Sequence, residues 1–160
     1  MKLENMYQEI ILDHYKHPHG KGLAEQFDAE VHHVNPTCGD EITLRVSRGA
    51  DGKIVVSYDN MGCSISQASA SIMFDQINNH DFASGEAAVQ HLVEMLQRTV
   101  EADEDILGDG IALAGVAQYP ARVKCALLAW MAWKDAAIQA GAEGQPKADI
   151  SRESNKEQNL

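Results

Sequence analysis

Residues 42–58 read ITLRVSRGADGKIVVSY and contain two runs in which apolar and polar residues alternate. A period of two is typical of β-strands that have one buried face and one exposed face. Asp51 and Gly52 lie between the two runs, and this dipeptide favours the tight turn of a β-hairpin. The stretch therefore predicts two antiparallel strands. Their apolar positions are Ile42, Leu44 and Val46, followed by Ile54, Val56 and Tyr58.

A third alternating run precedes this hairpin, with Phe27, Ala29 and Val31 at its apolar positions. Residues 35–37, Asn-Pro-Thr, separate it from the hairpin, and these residue types favour a turn. We therefore expect a sheet of three antiparallel strands, with Phe27 on the buried face.

Helical periodicity surrounds the predicted sheet. Residues 3–15 precede it, and three further segments follow it, at residues 64–77, about 84–98, and 120–140. Ser64 with Gln67 fits a capping box, and Pro120 suits the first position of a helix. This order of elements predicts an α+β fold, a small three-stranded antiparallel sheet with helices packed on one face.

The chain is expected to form one domain over residues 1–140, followed by a tail at residues 141–160. The tail is polar and lacks apolar periodicity, which is typical of flexible segments. Residues 101–118 are acidic and contain several glycines, so we expect loops with short helical turns there.

The composition excludes several classes of partner. Among the 160 residues, 13 are Lys or Arg and 24 are Asp or Glu, which gives a formal net charge of −11. This charge repels phosphate groups, so neither nucleic acid nor a membrane surface is an expected partner. The longest apolar run, residues 126–133, is much shorter than the roughly 20 residues that span a bilayer. No signal-peptide core is evident near the N-terminus, so we expect a cytoplasmic protein.

Three cysteines are the main candidates for functional chemistry. An odd number without a secretory signal argues against a disulfide framework. Free cysteines often pack as small apolar groups, but the surroundings of these three favour thiolates. Cys38 lies in a turn beside Gly39, and Cys63 precedes a predicted helix whose dipole favours negative charge. Cys125 follows Arg122 by three residues, on the same helical face.

Asp40 lies two residues after Cys38, so the chain offers three thiolates and one carboxylate as ligands. Zinc prefers four tetrahedral ligands drawn from sulfur, nitrogen and oxygen. Soft thiolates also suit iron–sulfur clusters. Spacing by itself does not show that the three segments converge, so at this level the choice between zinc, a cluster and simple burial stays open.

Other chemistries lack their motifs. The G-x-S-x-G turn of many hydrolases and the phosphate-binding P-loop are absent from the sequence. The acidic run at residues 101–109 lacks the ligand order of an EF-hand. His14, His17 and His19, near the end of the first predicted helix, indicate no particular chemistry.

Four stretches of the chain resemble the SufU family, the zinc-dependent sulfur-acceptor proteins of bacterial SUF iron–sulfur cluster assembly. The stretches are MYQEIILDHYKHP at residues 6–18, NPTCGD at residues 35–40, GCSISQASAS at residues 62–71 and PARVKCA at residues 120–126. The wider superfamily includes the IscU scaffolds and the N-terminal domains of NifU. The resemblance extends from the first predicted helix to the last.

This resemblance implies a function and a site. It implies that Cys38, Asp40, Cys63 and Cys125 hold zinc, with Arg122 beside them. It also implies that Cys38 accepts sulfur from a cysteine desulfurase of the SufS type, which carries the PLP. Downstream SUF scaffold proteins are then expected as further partners.

Three functions could use these ligands. We favour a zinc-dependent sulfurtransferase; the alternatives are an iron–sulfur cluster scaffold of the IscU type and a non-catalytic zinc-stabilised interaction module. IscU-type scaffolds carry histidine immediately before the third cysteine, where this chain has Lys124. SufU-type chains carry an insertion between the second and third cysteines, and residues 81–98 match it. Structural zinc sites usually pair cysteines closely in sequence, as C-x₂₋₄-C, and this chain has no such pair.

Overall fold

The predicted sheet is present in the computed structural model, which describes residues 3–142. Strands β1 (Ala29–Asn35), β2 (Asp40–Arg48) and β3 (Ile54–Met61) form an antiparallel sheet in the order β1-β2-β3. Residues 49–53 connect β2 to β3, and the Gly52 N–H donates to the Gly49 carbonyl at 3.1 Å. The alternation in the sequence thus predicts both the strands and the hairpin correctly.

In the described part of the chain, five α-helices accompany the sheet. They are α1 (Leu3–Lys16), α2 (Ser64–Ile77), α3 (Phe82–Leu96), α4 (Glu104–Leu107) and α5 (Pro120–Gln139). A 3₁₀ segment, Gly108–Gln118, joins α4 to α5. Pro120 occupies the first turn of α5, where its missing N–H leaves no hydrogen bond unmade.

The core lies between the sheet and α5. Leu44 and Tyr58 project from the sheet, Trp130 and Trp133 project from α5, and all four side chains are fully buried. Helix α2 packs against α5 and β3, and α1 packs against α2. The opposite face of the sheet carries polar residues, and a short segment at residues 21–24 crosses part of it. The α+β architecture with helices on one face is therefore confirmed.

Two local expectations were wrong. Phe27 lies outside β1 and is 41% exposed. Its ring does not enter the core, because it packs against the Arg45 guanidinium, 4.4 Å from the ring centroid. Ser64 is not the N-cap of α2, since Cys63 occupies that position and the Gln67 side chain donates to the Gly62 carbonyl.

The acidic segment before α5 is more ordered than the sequence indicates. Asp103 caps α4, and its carboxylate accepts the Asp105 N–H at 2.9 Å. The 3₁₀ segment then runs for 11 residues, whereas most 3₁₀ runs end after three or four. Its buried residues include Leu113 and Val116, which anchor it to the core. Within residues 3–142, no helix is both long and apolar enough to cross a membrane. The tail expected at residues 141–160 lies outside the described residues beyond Ala142.

Candidate metal centre

The predicted ligands come from three separate parts of the fold. Cys38 lies in the loop of residues 36–39 that joins β1 to β2, and Asp40 is the first residue of β2. Cys63 is the N-cap of α2, and Cys125 lies in the second turn of α5. The fold brings these segments together at one end of the sheet.

Interatomic distances show that the ligand atoms meet. The Sγ atoms of Cys38 and Cys125 are 3.2 Å apart. Ligand atoms of Cys38, Asp40 and Cys125 all lie within 4.8 Å of one another. The Sγ atom of Cys63 lies 3.9 Å from Oδ2 of Asp40. Asp40 therefore links Cys63 to the other two cysteines.

The loop that carries Cys38 is held by two hydrogen bonds to one backbone carbonyl, that of Asn35. The N–H groups of Cys38 and Gly39 donate to the Asn35 carbonyl at 3.2 and 3.0 Å. Gly39 has a φ of 73°, a conformation that costs glycine little and other residues more. The loop therefore turns sharply into β2, and its thiol lies at the rim of the site.

Cys63 is fixed more firmly than Cys38. Its N–H donates to Oδ1 of Asp40 at 2.8 Å, and its Sγ accepts the Ser66 N–H at 3.4 Å. Gly62 precedes it with a φ of 145°, and a Cβ there would overlap the carboxylate and the Cα of Asp40. Because of this close approach, Gly62 determines how the N-terminus of α2 sits against Asp40.

Burial and hydrogen bonding shift the pKa values of two ligands in opposite directions. Burial raises the pKa of Asp40, but hydrogen bonds with Cys125, Cys63 and Ser66 outweigh it and leave a lowered pKa. Burial, reinforced by hydrogen bonds with Asp40 and Cys38, raises the pKa of the Cys125 thiol above its usual range. Without a bound cation, Asp40 is thus ionised at neutral pH and Cys125 keeps its proton.

Arg122 supplies positive charge at the rim. A hydrogen bond with Cys125 raises the pKa of Arg122, and electrostatic interactions with Cys63, Cys125 and Cys38 raise it further. The side chain is exposed, so it remains accessible from solvent. Lys124 is also exposed, one residue before Cys125.

The four ligands differ in accessibility. Cys125 and Asp40 are fully buried, whereas Cys38 and Cys63 are half-buried. A groove of about 870 Å³ lies between α1 and the 3₁₀ segment and reaches Cys63 and Arg122. Solvent and other molecules can therefore approach the Cys63 thiol through this groove.

The donor set fits zinc. Three sulfurs and one carboxylate oxygen are ligand types that zinc accepts, and a tetrahedral site with bonds near 2.3 Å places ligand atoms roughly 3.8 Å apart. The distance of 3.2 Å between the sulfurs of Cys38 and Cys125 lies below that value, and the distance of 3.9 Å between Cys63 Sγ and Asp40 Oδ2 lies just above it. The same thiols would also suit an iron–sulfur cluster.

Three supporting residues were not predicted from the sequence. The buried Asn35 amide donates to Cys125 Sγ at 3.7 Å, while Gly62 and Ser66 position Cys63. All three lie inside the stretches that carry the family resemblance, residues 35–40 and 62–71, which was the available signal.

Comparisons with known proteins agree with the geometry. The sequence profile of the NifU-like N-terminal domain matches residues 6–126. The zinc-dependent sulfurtransferase SufU of Bacillus subtilis is 41% identical over 132 residues, covering 81% of this chain and 88% of that protein. The iron–sulfur cluster assembly scaffold protein IscU of Streptococcus pyogenes serotype M1 is 37% identical over 148 residues, which cover 92% of each chain.

A solved structure shows the same fold. It is the iron–sulfur cluster assembly scaffold protein for the SUF system from Fervidobacterium islandicum AW-1. That protein superposes with a TM-score of 0.75 at 34% identity, covering 84% of this chain and 98% of that one. The resemblance to SufU and to the wider superfamily is thus confirmed, and the chain belongs to the NifU-like N-terminal domain family.

Proposed function

We propose that this protein is a zinc-dependent sulfur acceptor in iron–sulfur cluster assembly. It takes persulfide sulfur from a PLP-dependent cysteine desulfurase of the SufS type. The observation that carries the proposal is the meeting of Cys38, Asp40 and Cys125 at one site, with the Cys63 thiol 3.9 Å from the Asp40 carboxylate and Cys38 on a loop at the rim. The similarity to the SufU of Bacillus subtilis supports it.

Four residues would hold the zinc: Cys38, Asp40, Cys63 and Cys125. When bound, zinc would keep these thiols deprotonated at neutral pH. Three of the ligands are suited to a permanent role, because Cys125 and Asp40 are buried and Cys63 is tied into the start of α2. Cys38 is the ligand that can leave, because it lies in a loop outside any helix or strand whose other three residues are exposed.

Sulfur transfer would follow the rules of thiol–disulfide exchange. The Cys38 thiolate attacks the outer sulfur of a persulfide on the partner. The new S–S bond forms on Cys38 as the partner's own S–S bond breaks, and the partner's cysteine leaves as a thiolate. Cys38 then carries the persulfide, and no external oxidant or reductant is needed.

Arg122 would assist this step from the rim of the site. Its guanidinium is attracted to all three thiolates, as the raised pKa indicates. A positive charge there stabilises the anionic persulfide as it approaches. The groove beside Cys63 and Arg122 provides space for the segment of the partner that carries the persulfide.

Transfer to Cys38 is the direct test. We expect incubation with the desulfurase and cysteine to leave a persulfide on Cys38, detectable by mass spectrometry of alkylated peptides. Cys38→Ala should lose both the adduct and the stimulation of the desulfurase. Cys38→Ser should also fail, because a hydroxyl is a far weaker nucleophile at neutral pH.

Thr37→Ala is the matched control, because it alters the same loop and leaves every ligand in place. Zinc content is measured in each variant, and the desulfurase must retain its basal rate. Full stimulation by Cys38→Ala would refute transfer and leave a module that acts by binding alone.

A second candidate is the cluster scaffold, since the IscU of Streptococcus pyogenes is a similar relative and the same thiols could hold a cluster. Lys124, in place of the histidine of IscU-type scaffolds, argues against it. Freshly purified protein should be colourless and hold about one zinc at this site. Protein that contains iron and sulfide without added reagents would favour the scaffold.

In the cell, we propose a cytoplasmic location and delivery of sulfur to downstream SUF scaffold proteins. The domain that performs these steps would occupy residues 1–140, with residues 141–160 as an appended tail.

A further inference from the structure

A second group of potential metal ligands lies at the other end of α2. It consists of His14 at the end of α1, His19 in the loop that follows, and Asp75 on α2. One ligand atom from each lies within 4.8 Å of the others. Asp75 is 12 residues beyond Cys63, which corresponds to about 18 Å along the helix. We propose that these three residues form a separate binding site for a divalent transition-metal ion.

His14 is oriented from both sides. Its Nε2 lies 2.9 Å from Oδ2 of Asp109, and its Nδ1 lies 2.7 Å from Oγ of Ser71. Its side chain is only 2% exposed. When Nε2–H donates to Asp109, as outer carboxylates do for a metal-binding histidine, Nδ1 accepts the Ser71 hydroxyl proton, and a metal would have to replace that hydrogen bond to use the Nδ1 lone pair.

The Ser71–His14–Asp109 array resembles a hydrolytic triad in its connectivity only. Ser71 is fully buried in the middle of α2, so no substrate can reach its hydroxyl. Its Oγ also accepts the His19 N–H at 2.8 Å. The Ser71 hydroxyl thus hydrogen-bonds both to Nδ1 of His14 and to the backbone N–H of His19. Nδ1 is therefore the nitrogen of His14 that faces His19.

His19 is held in place through its backbone. Besides the bond from its N–H to Ser71, its carbonyl accepts the Tyr58 hydroxyl at 2.7 Å. Its ring lies 4.8 Å from the His14 ring, centroid to centroid. The His19 ring is thus positioned before any ion binds, which lowers the entropy cost of binding.

Asp75 completes the set and leaves it open to solvent. Both of its carboxylate oxygens lie within 2.9 Å of Nδ1 of His19. A bound cation would take the place of the proton that lies between this nitrogen and the carboxylate. The side chains of His19 and Asp75 are 44% and 37% exposed. An ion can therefore enter from solvent and keep water at its remaining positions.

The ligand types indicate the class of ion. Two imidazoles and one carboxylate suit zinc, cobalt, nickel or copper, whereas magnesium and calcium prefer oxygen ligands alone. Charge also favours a cation, because among residues 3–142 Asp75 and Asp109 are each paired with a histidine and not with lysine or arginine.

Counting bound zinc tests this proposal. Zinc is added to the full chain in the presence of a chelator of intermediate affinity, and bound equivalents are measured by native mass spectrometry. We expect wild-type protein to hold one equivalent more than His19→Ala or Asp75→Asn. Asp109→Asn should weaken the extra equivalent by about tenfold or more, as loss of an outer carboxylate does elsewhere.

His17→Ala is the matched control. His17 lies in the same loop with 74% of its side chain exposed, and its ring hydrogen-bonds to Asp13 one turn earlier. It should retain the extra equivalent. Adding that equivalent to wild-type protein should also shift the imidazole NMR signals of His14 and His19.

Equal zinc counts in wild type, His19→Ala and Asp75→Asn would overturn the proposal. So would unshifted signals from both rings. Because the comparison counts a difference between variants with intact cysteines, it succeeds or fails independently of sulfur transfer at Cys38.

Discussion

Replacing Gly62 with alanine should damage the metal centre without removing any ligand. Gly62 has a φ of 145°, which L-residues rarely adopt, and a Cβ there would overlap the Asp40 carboxylate. Backbone strain of this kind costs on the order of 1–3 kcal/mol. Part of the overlap is with the Asp40 Cα, so a change of rotamer cannot relieve it. Either Asp40 or the start of α2 must move.

The size of the effect follows from that strain. If the strain destabilises only the conformation that binds zinc, the dissociation constant for zinc should rise by about 5- to 150-fold. If the strain destabilises the whole fold, the melting temperature should drop by roughly 2–4 °C for each kcal/mol of strain in a domain of this size. A competition titration against a chromophoric chelator measures the first quantity, and a thermal melt of zinc-free protein measures the second.

Gly115→Ala is the control, because Gly115 lines the groove that reaches Cys63 and a Cβ there would meet nothing within 4 Å. Its effect should stay within about 0.5 kcal/mol. If Gly62→Ala bound zinc as tightly as wild type and melted at the same temperature, the role assigned to Gly62 would be wrong.

Two further predictions concern the cysteines. Cys63→Ala and Cys125→Ala should both weaken zinc binding, because each removes one proposed ligand. Both should also lower the gain in melting temperature that zinc provides. Full zinc occupancy in both variants would contradict the ligand assignment. Zinc affinity should also fall as pH is lowered, by about tenfold per pH unit for each proton displaced. The raised pKa of Cys125 means that its proton must be displaced even near neutral pH, so an affinity that is flat between pH 6 and pH 8 would contradict this.

The sheet could be predicted because its pattern is local. Alternation over residues 42–58 reports directly which side chains point into the core, and Asp51 with Gly52 specifies the connection. Phe27 shows the limit of the same rule. The alternation holds only inside a strand, and Phe27 precedes β1, so its ring contacts Arg45 on the polar face instead of entering the core.

The start of α2 shows a second limit. The capping-box rule points to Ser64, because serine is a common N-cap and a thiol is not. Cys63 caps the helix because Asp40, 23 residues earlier, accepts its N–H. A contact between elements thus overrides a local preference.

The metal centre could be predicted only in part. The local surroundings of each cysteine indicate a thiolate, and the family resemblance indicates which residues join. The convergence itself cannot be read from spacing, since Cys38 and Cys125 are 87 residues apart. The His14 network had no signal, because its partners Ser71 and Asp109 are 57 and 95 residues away.

The position of Cys125 on the last helix has a consequence for biosynthesis. Translation releases Cys38, Asp40 and Cys63 first, and the sheet with α2 can begin to form around them. The fourth ligand leaves the ribosome only after most of the domain has been made, and it must close a loop of 87 residues to reach Cys38. A nascent chain stalled before α5 would offer two thiols and a carboxylate but could not enclose the ion. With the proposed ligands, the site would therefore be complete only after α5 has been made and packed.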